Sequence, residues 1–368
     1  MSVCAAPINT APNTPPVSIA ARFYGYTPIG VVVSKKGRIF MSFPRAFGLG
    51  PYCVAEIKNG RPSAYPNASV NRVGHHTEAN KLVSVQGLTV DAQDRLWLLD
   101  TGILKTYHVP YGGPKTYPVS FGGPKLVCVD LATNKIVKKI LFPIGIAGPN
   151  AYLNDVRVDL KLGTAGTAFI SDSSEKGPNG IVVVDLATGK SRRRLNNAPS
   201  VQAEPGFTPV VEGIPLLKRS KRGVPPKHDT TGVDGLTLTP DGKYLYYCPN
   251  EGQHLYRVST RTLADPNVTN DQVLAAVEDL GDKGFASDGI EADAAGNVYL
   301  TDYEHNAVKR RTPAGQYVTV AQGPLLVWPD SISFRSDGVM FFTADQLNRL
   351  PKYHYGKDLP NCAESPWL

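Results

Sequence analysis

The sequence predicts an all-β protein, a six-bladed β-propeller closed by an N-terminal strand, and internal repeats are the main reason. Two stretches match closely, VCVDLATNK at 127–135 and VVVDLATGK at 182–190. Each is an apolar run that ends in a turn of the Asn or Gly type, as a β-hairpin requires. Repetition of such a unit along one chain is typical of propellers and solenoids.

A longer pattern occurs six times and gives the predicted number of blades. The six segments are PIGVVVS, VQGLTVD, LNDVRVD, VDGLTLT, SDGIEAD and PDSISFR. Five of them are followed by a turn and a strand rich in β-branched and aromatic residues, such as RLWLLD. Third strands and several fourth strands come next, which makes the four-stranded unit of a propeller. A β-sandwich is the alternative, but it does not account for six similar units.

The same pattern divides the chain into three parts. We expect a flexible N-terminal segment over residues 1–16, the propeller over residues 17–355, and a C-terminal tail over residues 356–368. Residues 17–25 (VSIAARFYG) have strand character. We expect them to complete the last blade, because a closed ring leaves no exposed sheet edge.

Composition and charge exclude several classes of protein. Hydrophobic residues make up 42% and charged residues 19%, which is too apolar for a disordered chain. No stretch approaches the roughly 18–20 apolar residues of a membrane span. The formal net charge is +7, but no basic face alternates with aromatic residues, so we expect neither nucleic-acid nor membrane partners. We expect a monomer. No signal peptide is visible, so either the protein is cytoplasmic as given or the sequence is a processed form.

We expect the clustered basic residues and the cysteines to have structural roles. Part of the charge excess falls in a loop that is rich in Pro and Gly, and we expect its side chains to be exposed: Lys218, Arg219, Lys221 and Arg222. Cys53, Cys128 and Cys248 lie in apolar runs and are expected to be buried thiols. Cys4 and Cys362 lie near opposite ends, which a circular fold brings together, so they could form a disulfide in an oxidising compartment.

The predicted site lies where the innermost strand of each blade begins. The second position of the six segments is Ile29, Gln86, Asn154, Asp234, Asp288 and Asp330. These positions should converge at one mouth of the central channel, and Asp155 adjoins them. We predict that Gln86, Asp155, Asp288 and Asp330 bind a substrate and that Asn154, Asp234 and Asp288 bind a metal.

Carboxylates held close together repel one another and require a cation, shared protons or a basic ligand. Oxygen ligands favour Ca²⁺ or Mg²⁺, and no organic cofactor is implied. Direct binding of a protonated amine or a hydroxyl-rich molecule is an alternative. A third interpretation is structural, since Asp at such turns often caps backbone N–H groups.

Motifs of the common hydrolases and nucleotide-binding proteins are absent, because the sequence contains no GxSxG, HExxH or P-loop. Groups near the mouth that could transfer a proton are His75, His76 and Tyr303. They are therefore the candidate catalytic residues.

The chain resembles the yellow/major royal jelly protein family, and in particular its microbial members. The resemblance is carried by SVQGLTVDAQDRLWLLDTG, AYLNDVRVDL, GIVVVDLATGKS, DGLTLTPDGKYLYYCP and SDGIEADAAGNVYLTDYEHNAV. The family is similar in architecture to the SMP-30/gluconolactonase propellers, in which a divalent ion lies on the axis. Asn154 and Asp234 match ligand positions of those proteins, whereas Ile29 stands where an acidic residue is expected.

The resemblance implies a small-molecule pocket at the axis without fixing the reaction. Its members include dopachrome-converting enzymes and amine-binding salivary proteins, and most eukaryotic members are secreted. Our first hypothesis is an enzyme that isomerises, hydrolyses or cyclises a small oxygenated metabolite. The alternatives are a non-catalytic protein that binds amines and a pericyclase of a natural-product pathway.

Overall fold

Antiparallel β-sheets dominate the protein in the computed structural model, which describes residues 17–47, 50–72, 81–104, 115–116, 123–219, 221–357 and 359. Five four-stranded sheets follow one another along the chain and form five blades. The predicted all-β propeller is therefore confirmed. Residues 1–16, His75, His76, Cys4 and Cys362 lie outside the described residues.

The strands of the five blades have the following bounds. Blade 1 contains Val31–Val33, Ile39–Ser42, Val54–Lys58 and Arg61–Ala64. Blade 2 contains Val85–Val90, Arg95–Asp100, Lys125–Asp130 and Lys135–Leu141. Blade 3 contains Leu153–Asp159, Thr167–Asp172, Gly180–Asp185 and Ser191–Arg194. Blade 4 contains Val233–Leu238, Tyr244–Pro249, His254–Ser259 and Val277–Asp282. Blade 5 contains Ile290–Ala292, Val298–Asp302, Ala307–Arg311 and Tyr317–Gln322.

Shorter elements connect the blades. A two-stranded sheet follows blade 5 and consists of Pro329–Phe334 and Met340–Ala344. Three small ribbons pair Ile103–Leu104 with Lys115–Thr116, Val210–Val211 with Ile214–Pro215, and Leu217–Lys218 with Lys227–His228. The helices are Ala68–Asn71, Thr260–Ala264 and Asn270–Ala275, with 3₁₀ turns at Pro199–Val201, Leu347–Arg349 and Pro351–Tyr353.

The prediction of six blades was wrong, because the last repeat forms only the two-stranded sheet. The stretch that would supply its third strand, RLPKYH at residues 349–354, forms 3₁₀ turns instead. Pro351 explains the difference, since proline has no N–H to donate to a sheet and fixes a backbone angle that suits a turn.

Closure by an N-terminal strand is also not observed, because residues 17–25 contain no strand. Phe23 packs its ring edge-on against Phe43 instead, with centroids 5.1 Å apart. The ring closes where the two-stranded sheet meets blade 1. There the backbone N–H groups of Val31 and Val33 donate to the hydroxyls of Ser331 and Ser333, at 3.0 and 2.9 Å.

The hydrophobic core lies between successive blades. One cluster joins Trp97 and Cys128 of blade 2 to Val156 and Ile170 of blade 3, and similar clusters fill the other interfaces. Because each blade is covered on both faces, its middle strands are apolar almost throughout, as in Gly180–Asp185. This packing holds the six innermost strands against one another around the axis.

The predictions for cysteines and basic residues had different outcomes. Cys53, Cys128 and Cys248 are buried free thiols, as expected. Lys221 and Arg222 are exposed, but Lys218 and Arg219 are only half-exposed, which corrects the prediction for those two. Lys218 pairs with buried Asp229 at 3.1 Å. Within the described ranges, no helix is long and apolar enough to span a bilayer.

Candidate functional site

The five polar residues at the second position of the repeats are called the ring residues below. They lie at a β-bulge that recurs in the innermost strands. Four of these strands contain a β-bulge, in which two residues face one residue of the partner strand. The first bulge residue is Gln86, Asn154, Asp234 or Asp330. Asp288 takes the corresponding place just before Ile290–Ala292. A bulge re-aims the side chain, and here it directs five polar side chains to one end of the axis.

Three glycines keep these positions close together. A Cβ atom on Gly87 would lie 2.3 Å from the carbonyl oxygen of Asn154. On Gly235 and Gly289 it would lie 2.2 Å from the carbonyl oxygens of Asp288 and Asp330, respectively. Neighbouring strands therefore approach more closely than any larger residue permits. The backbone, and not attraction between side chains, brings the polar groups together.

The five polar side chains line one cavity of about 180 Å³. All are at least nine-tenths buried, and Asp288 is only 4% exposed. Aromatic and aliphatic groups complete the wall, among them Tyr152, Trp328 and Tyr353. The exposed residues Glu175 and Lys176 also line the cavity and mark its open end. A small molecule that enters would meet buried carboxyls opposite apolar surface.

Asp288 is held by donors on both oxygens. The indole N–H of Trp328 donates to Oδ2 at 2.7 Å, and the Asn250 amide donates to Oδ1 at 2.8 Å. Burial raises the pKa of Asp288 to about 6 in spite of these donors, because nearby carboxylates such as Asp155 add repulsion. The group therefore titrates within the range of many enzymes' working pH.

Asp234 contacts the Asp288 carboxyl directly. Burial, and then the charge of Asp288, hold the pKa of Asp234 well above its usual range. Two carboxyls in contact cannot both ionise at low cost, so one keeps a proton that it donates to the other. Asp288, with a pKa of about 6, therefore ionises before Asp234, which holds its proton more tightly.

Two further ring side chains form neutral hydrogen bonds. The Tyr152 hydroxyl donates to Gln86 Oε1 at 2.8 Å. The Asn154 amide donates to the Ser173 hydroxyl at 2.9 Å. These hydrogen bonds fix the orientation of the two side-chain amides.

Other predicted residues lie away from this cavity. Asp155, the second bulge residue, faces Arg157 at 3.6 Å, and Arg157 also pairs with Glu291 at 3.2 Å. These three residues lie further along the axis, and Arg157 and Glu291 line a separate cavity. Tyr303 is completely buried, stacks on Trp328 with centroids 4.2 Å apart, and donates to the Asn250 carbonyl at 2.8 Å. It supports the cavity wall without reaching the cavity.

Sequence reasoning missed three residues of the site: Asn250, Trp328 and Asp345. Asn250 and Asp345 each follow the second strand of a sheet, as Ser173 does in blade 3. Stacking the repeats at that position, as well as at the first strand, would have found them. Trp328 immediately precedes an inner strand and has φ of +55°, which no repeat signal indicates.

Metal binding by Asn154, Asp234 and Asp288 stays a prediction, and the structure gives two observations that bear on it. Among the described residues, no group of three or more His, Cys, Asp or Glu side chains has the arrangement to hold an ion. Ile29 takes the first ring position, and both oxygens of Asp288 already accept hydrogen bonds. Both observations weigh against Ca²⁺ or Mg²⁺ at this position.

Fold and cavity together define a β-propeller with an acidic cavity at one end of its axis. Residues 83–361 match the family model described as "Major royal jelly protein". The chain belongs to the major royal jelly protein family, which confirms the resemblance seen in the sequence.

Named relatives are similar over part of their length. Protein yellow of Drosophila subobscura is 27% identical over 275 residues, which cover 70% of this chain and 44% of that protein. Major royal jelly protein 1 of Apis mellifera is 26% identical over 214 residues, which cover 56% and 43%. The chain thus spans less than half the length of these curated relatives.

Solved structures share the fold at low identity. A gluconolactonase from Xanthomonas campestris has a TM-score of 0.52 and 14% identity, over 93% of this chain and 96% of that chain. A luciferin-regenerating enzyme has a TM-score of 0.50 and 11% identity, over 88% and 85%. At these identities the similarity concerns the fold alone.

Proposed function

We propose that this protein is an enzyme that transfers protons within a small oxygenated organic molecule bound in the axial cavity. Isomerisation is the form of this chemistry that needs no second substrate. The observation that carries the proposal is the contact between Asp288 and Asp234, whose pKa values are raised to different extents. A pair of acids that differ in this way supplies a base and an acid at one pH.

The proposed reaction uses each carboxyl once. Asp288, ionised at neutral pH, removes a proton from a carbon or hydroxyl of the molecule. Asp234 delivers its proton to another atom of the molecule, which completes the isomerisation. The proton then held by Asp288 passes to Asp234 through their direct contact, and both groups return to their starting state.

Three features support productive binding. Trp328 and Asn250 fix the orientation of Asp288, as a general base requires. Gln86 and Asn154 offer amide groups to hydroxyl or carbonyl oxygens of the molecule. The apolar wall limits water at the reacting atoms, which strengthens these interactions.

The experiment incubates purified protein in D₂O with three probes: glucono-δ-lactone, dopachrome and tyramine. Proton NMR follows product formation and the entry of solvent deuterium into the probe. Asp288→Asn should lower turnover by about 100-fold or more, which is typical for loss of a general base. The value of kcat/KM should rise with pH through about 6, because Asp288 must lose its proton. The matched control is Asp337→Asn, which changes an exposed aspartate paired with Arg335.

A second function is favoured by the excess of buried carboxyls over cations in the cavity wall. In that case the protein binds an amine without turnover. Tyramine would then bind, Asp288→Asn would abolish that binding, and none of the three probes would be converted. That combination of results would contradict the enzymatic proposal.

A further inference from the structure

Tyr303 contacts both of the residues that donate hydrogen bonds to Asp288. Its ring stacks on the Trp328 indole, with centroids 4.2 Å apart and an angle of 6° between the ring planes. Its hydroxyl donates to the Asn250 backbone carbonyl at 2.8 Å. Trp328 and Asn250 in turn donate to the two carboxyl oxygens of Asp288, at 2.7 and 2.8 Å. One side chain outside the cavity therefore supports both donors of the proposed base.

Tyr303 connects parts of the fold that are far apart in the chain. It follows the second strand of blade 5, whereas Asn250 follows the second strand of blade 4 and Trp328 precedes the two-stranded sheet. Tyr303 is completely buried and belongs to the same hydrophobic cluster as Trp328. Because protein interiors are close-packed, a buried ring of this size has few other positions available. It can therefore hold both neighbours in one arrangement.

Trp328 has a backbone conformation that needs such support. Its φ is +55°, in the left-handed region that bulky residues rarely adopt. A residue stays in that region only where the surrounding structure holds it there. The indole also lines the cavity, so the stack with Tyr303 limits how far the ring can turn. If the indole turned, its N–H would lose the carboxyl of Asp288.

We propose that Tyr303 is a positioning residue, whose ring holds Trp328 and whose hydroxyl holds Asn250, so that the two donors fix the carboxyl of Asp288 at the cavity. Tyr303 itself touches neither the bound molecule nor the reacting atoms. This role differs from the direct proton transfer that the sequence suggested for Tyr303. The positioning of Asp288 is a property of the folded protein alone, whereas its effect on turnover rests on the proposed function.

The first arm of the test needs no ligand and measures how fast the Trp328 indole N–H exchanges with D₂O, by NMR of ¹⁵N-labelled protein. The signal is assigned by its loss in Trp328→Phe. Trp97 is the matched internal control, because its buried indole donates to the Asp91 carboxyl at 2.8 Å. Tyr303→Leu should speed exchange of Trp328 by about tenfold, the upper value of one aromatic stacking contact, and leave Trp97 unchanged. Equal acceleration of both signals, or of neither, would overturn the proposal.

The second arm measures kcat and KM with glucono-δ-lactone, dopachrome and tyramine. Tyr303→Leu should lower kcat by about 100-fold, as expected for a misplaced catalytic group, with little change in KM. Tyr303→Phe keeps the stack and loses the bond to Asn250, so kcat should fall by only about tenfold. The matched control is Tyr247, a buried tyrosine that stacks on Tyr256 and donates to Ser200 at 2.9 Å. Tyr247→Leu and Tyr247→Phe should leave kcat unchanged. Equal losses of kcat at Tyr303 and Tyr247 would overturn the positioning role.

The two proposals can fail separately. If Tyr303→Leu speeds exchange of Trp328 alone but the wild type converts no probe, the proposed enzyme is refuted and the positioning of Asp288 stands. If turnover depends on Asp288 but Tyr303→Leu changes neither the exchange of Trp328 nor kcat, the positioning role is refuted and the enzyme stands.

Discussion

Replacing Asp288 with Asn should stabilise the protein at neutral pH, even though it removes the proposed base. The carboxyl pKa is about 6 in the folded state, compared with 3.8 for the ordinary group. Between these two values the folded protein binds the proton more tightly than the unfolded chain. Stability therefore falls as pH rises through this window, and the loss persists above it.

The magnitude follows from the same shift. A difference of about 2 pKa units corresponds to about 3 kcal/mol of lost stability at neutral pH. Asn is neutral and recovers this energy. It retains one acceptor oxygen for the donors Trp328 and Asn250 and loses the other, at a cost of about 1 kcal/mol. We expect a net gain of about 2 kcal/mol at neutral pH and a net loss of about 1 kcal/mol below about pH 3, where Asp288 is protonated in both the folded protein and the unfolded chain.

Urea unfolding of wild type and Asp288→Asn at several pH values measures this directly, with equal m-values as the check that only stability has changed. The matched control, Asp337→Asn, should show no gain at neutral pH, because its carboxylate is exposed and paired with Arg335. If Asp288→Asn is less stable than wild type at neutral pH, burial does not destabilise the charged form and the reasoning fails.

Three further predictions follow from the geometry. Gly235→Ala should destabilise the protein by about 3 kcal/mol, because the added Cβ clashes with the next strand. Gly145→Ala has open space around it and should change stability by less than about 0.5 kcal/mol. Urea unfolding compares the two variants. Lys218→Ser should lower stability by about 1 kcal/mol because buried Asp229 loses a partner, whereas Arg222→Ser should be neutral in the same assay. Elemental analysis of protein purified without chelator should find no stoichiometric Ca²⁺ or Mg²⁺; an equimolar ion that is lost in Asp234→Ala would instead support the metal site expected from the sequence.

Sequence reasoning predicted which side chains converge on the axial cavity, because the register of the repeats carries that information. The second position of each repeat predicted the set of residues from Gln86 to Asp330 that lines the cavity. The same register could not separate Asp155 from its neighbour Asn154. A bulge sends adjacent side chains in different directions, and the bulge depends on pairing with the second strand.

The number of blades was harder to predict, because it depends on whether the last repeat forms its outer strands and not on how often the inner strand recurs. Six inner strands do surround the axis, but a third strand after Met340–Ala344 would have to contain Pro351. Residues 17–25 have strand-like composition, yet they form no strand and Phe23 is buried against Phe43. Tertiary packing therefore overrides local propensity at this point.

The glycines explain how the protein tolerates an acidic cluster that opposes folding. Gly235 and Gly289 place the backbone of one inner strand against the carbonyl of the next, so the spacing of Asp234, Asp288 and Asp330 is set by main-chain packing. Repulsion between the carboxyls cannot be relieved by moving strands whose outer faces are buried in the blade interfaces. The remaining relief is protonation, which raises the pKa values and prepares the acids and the base that the proposed reaction requires. Enforced burial of Asp288 thus has two effects: it lowers the stability of the folded protein, and it gives the carboxyl the raised pKa on which the proposed reactivity depends.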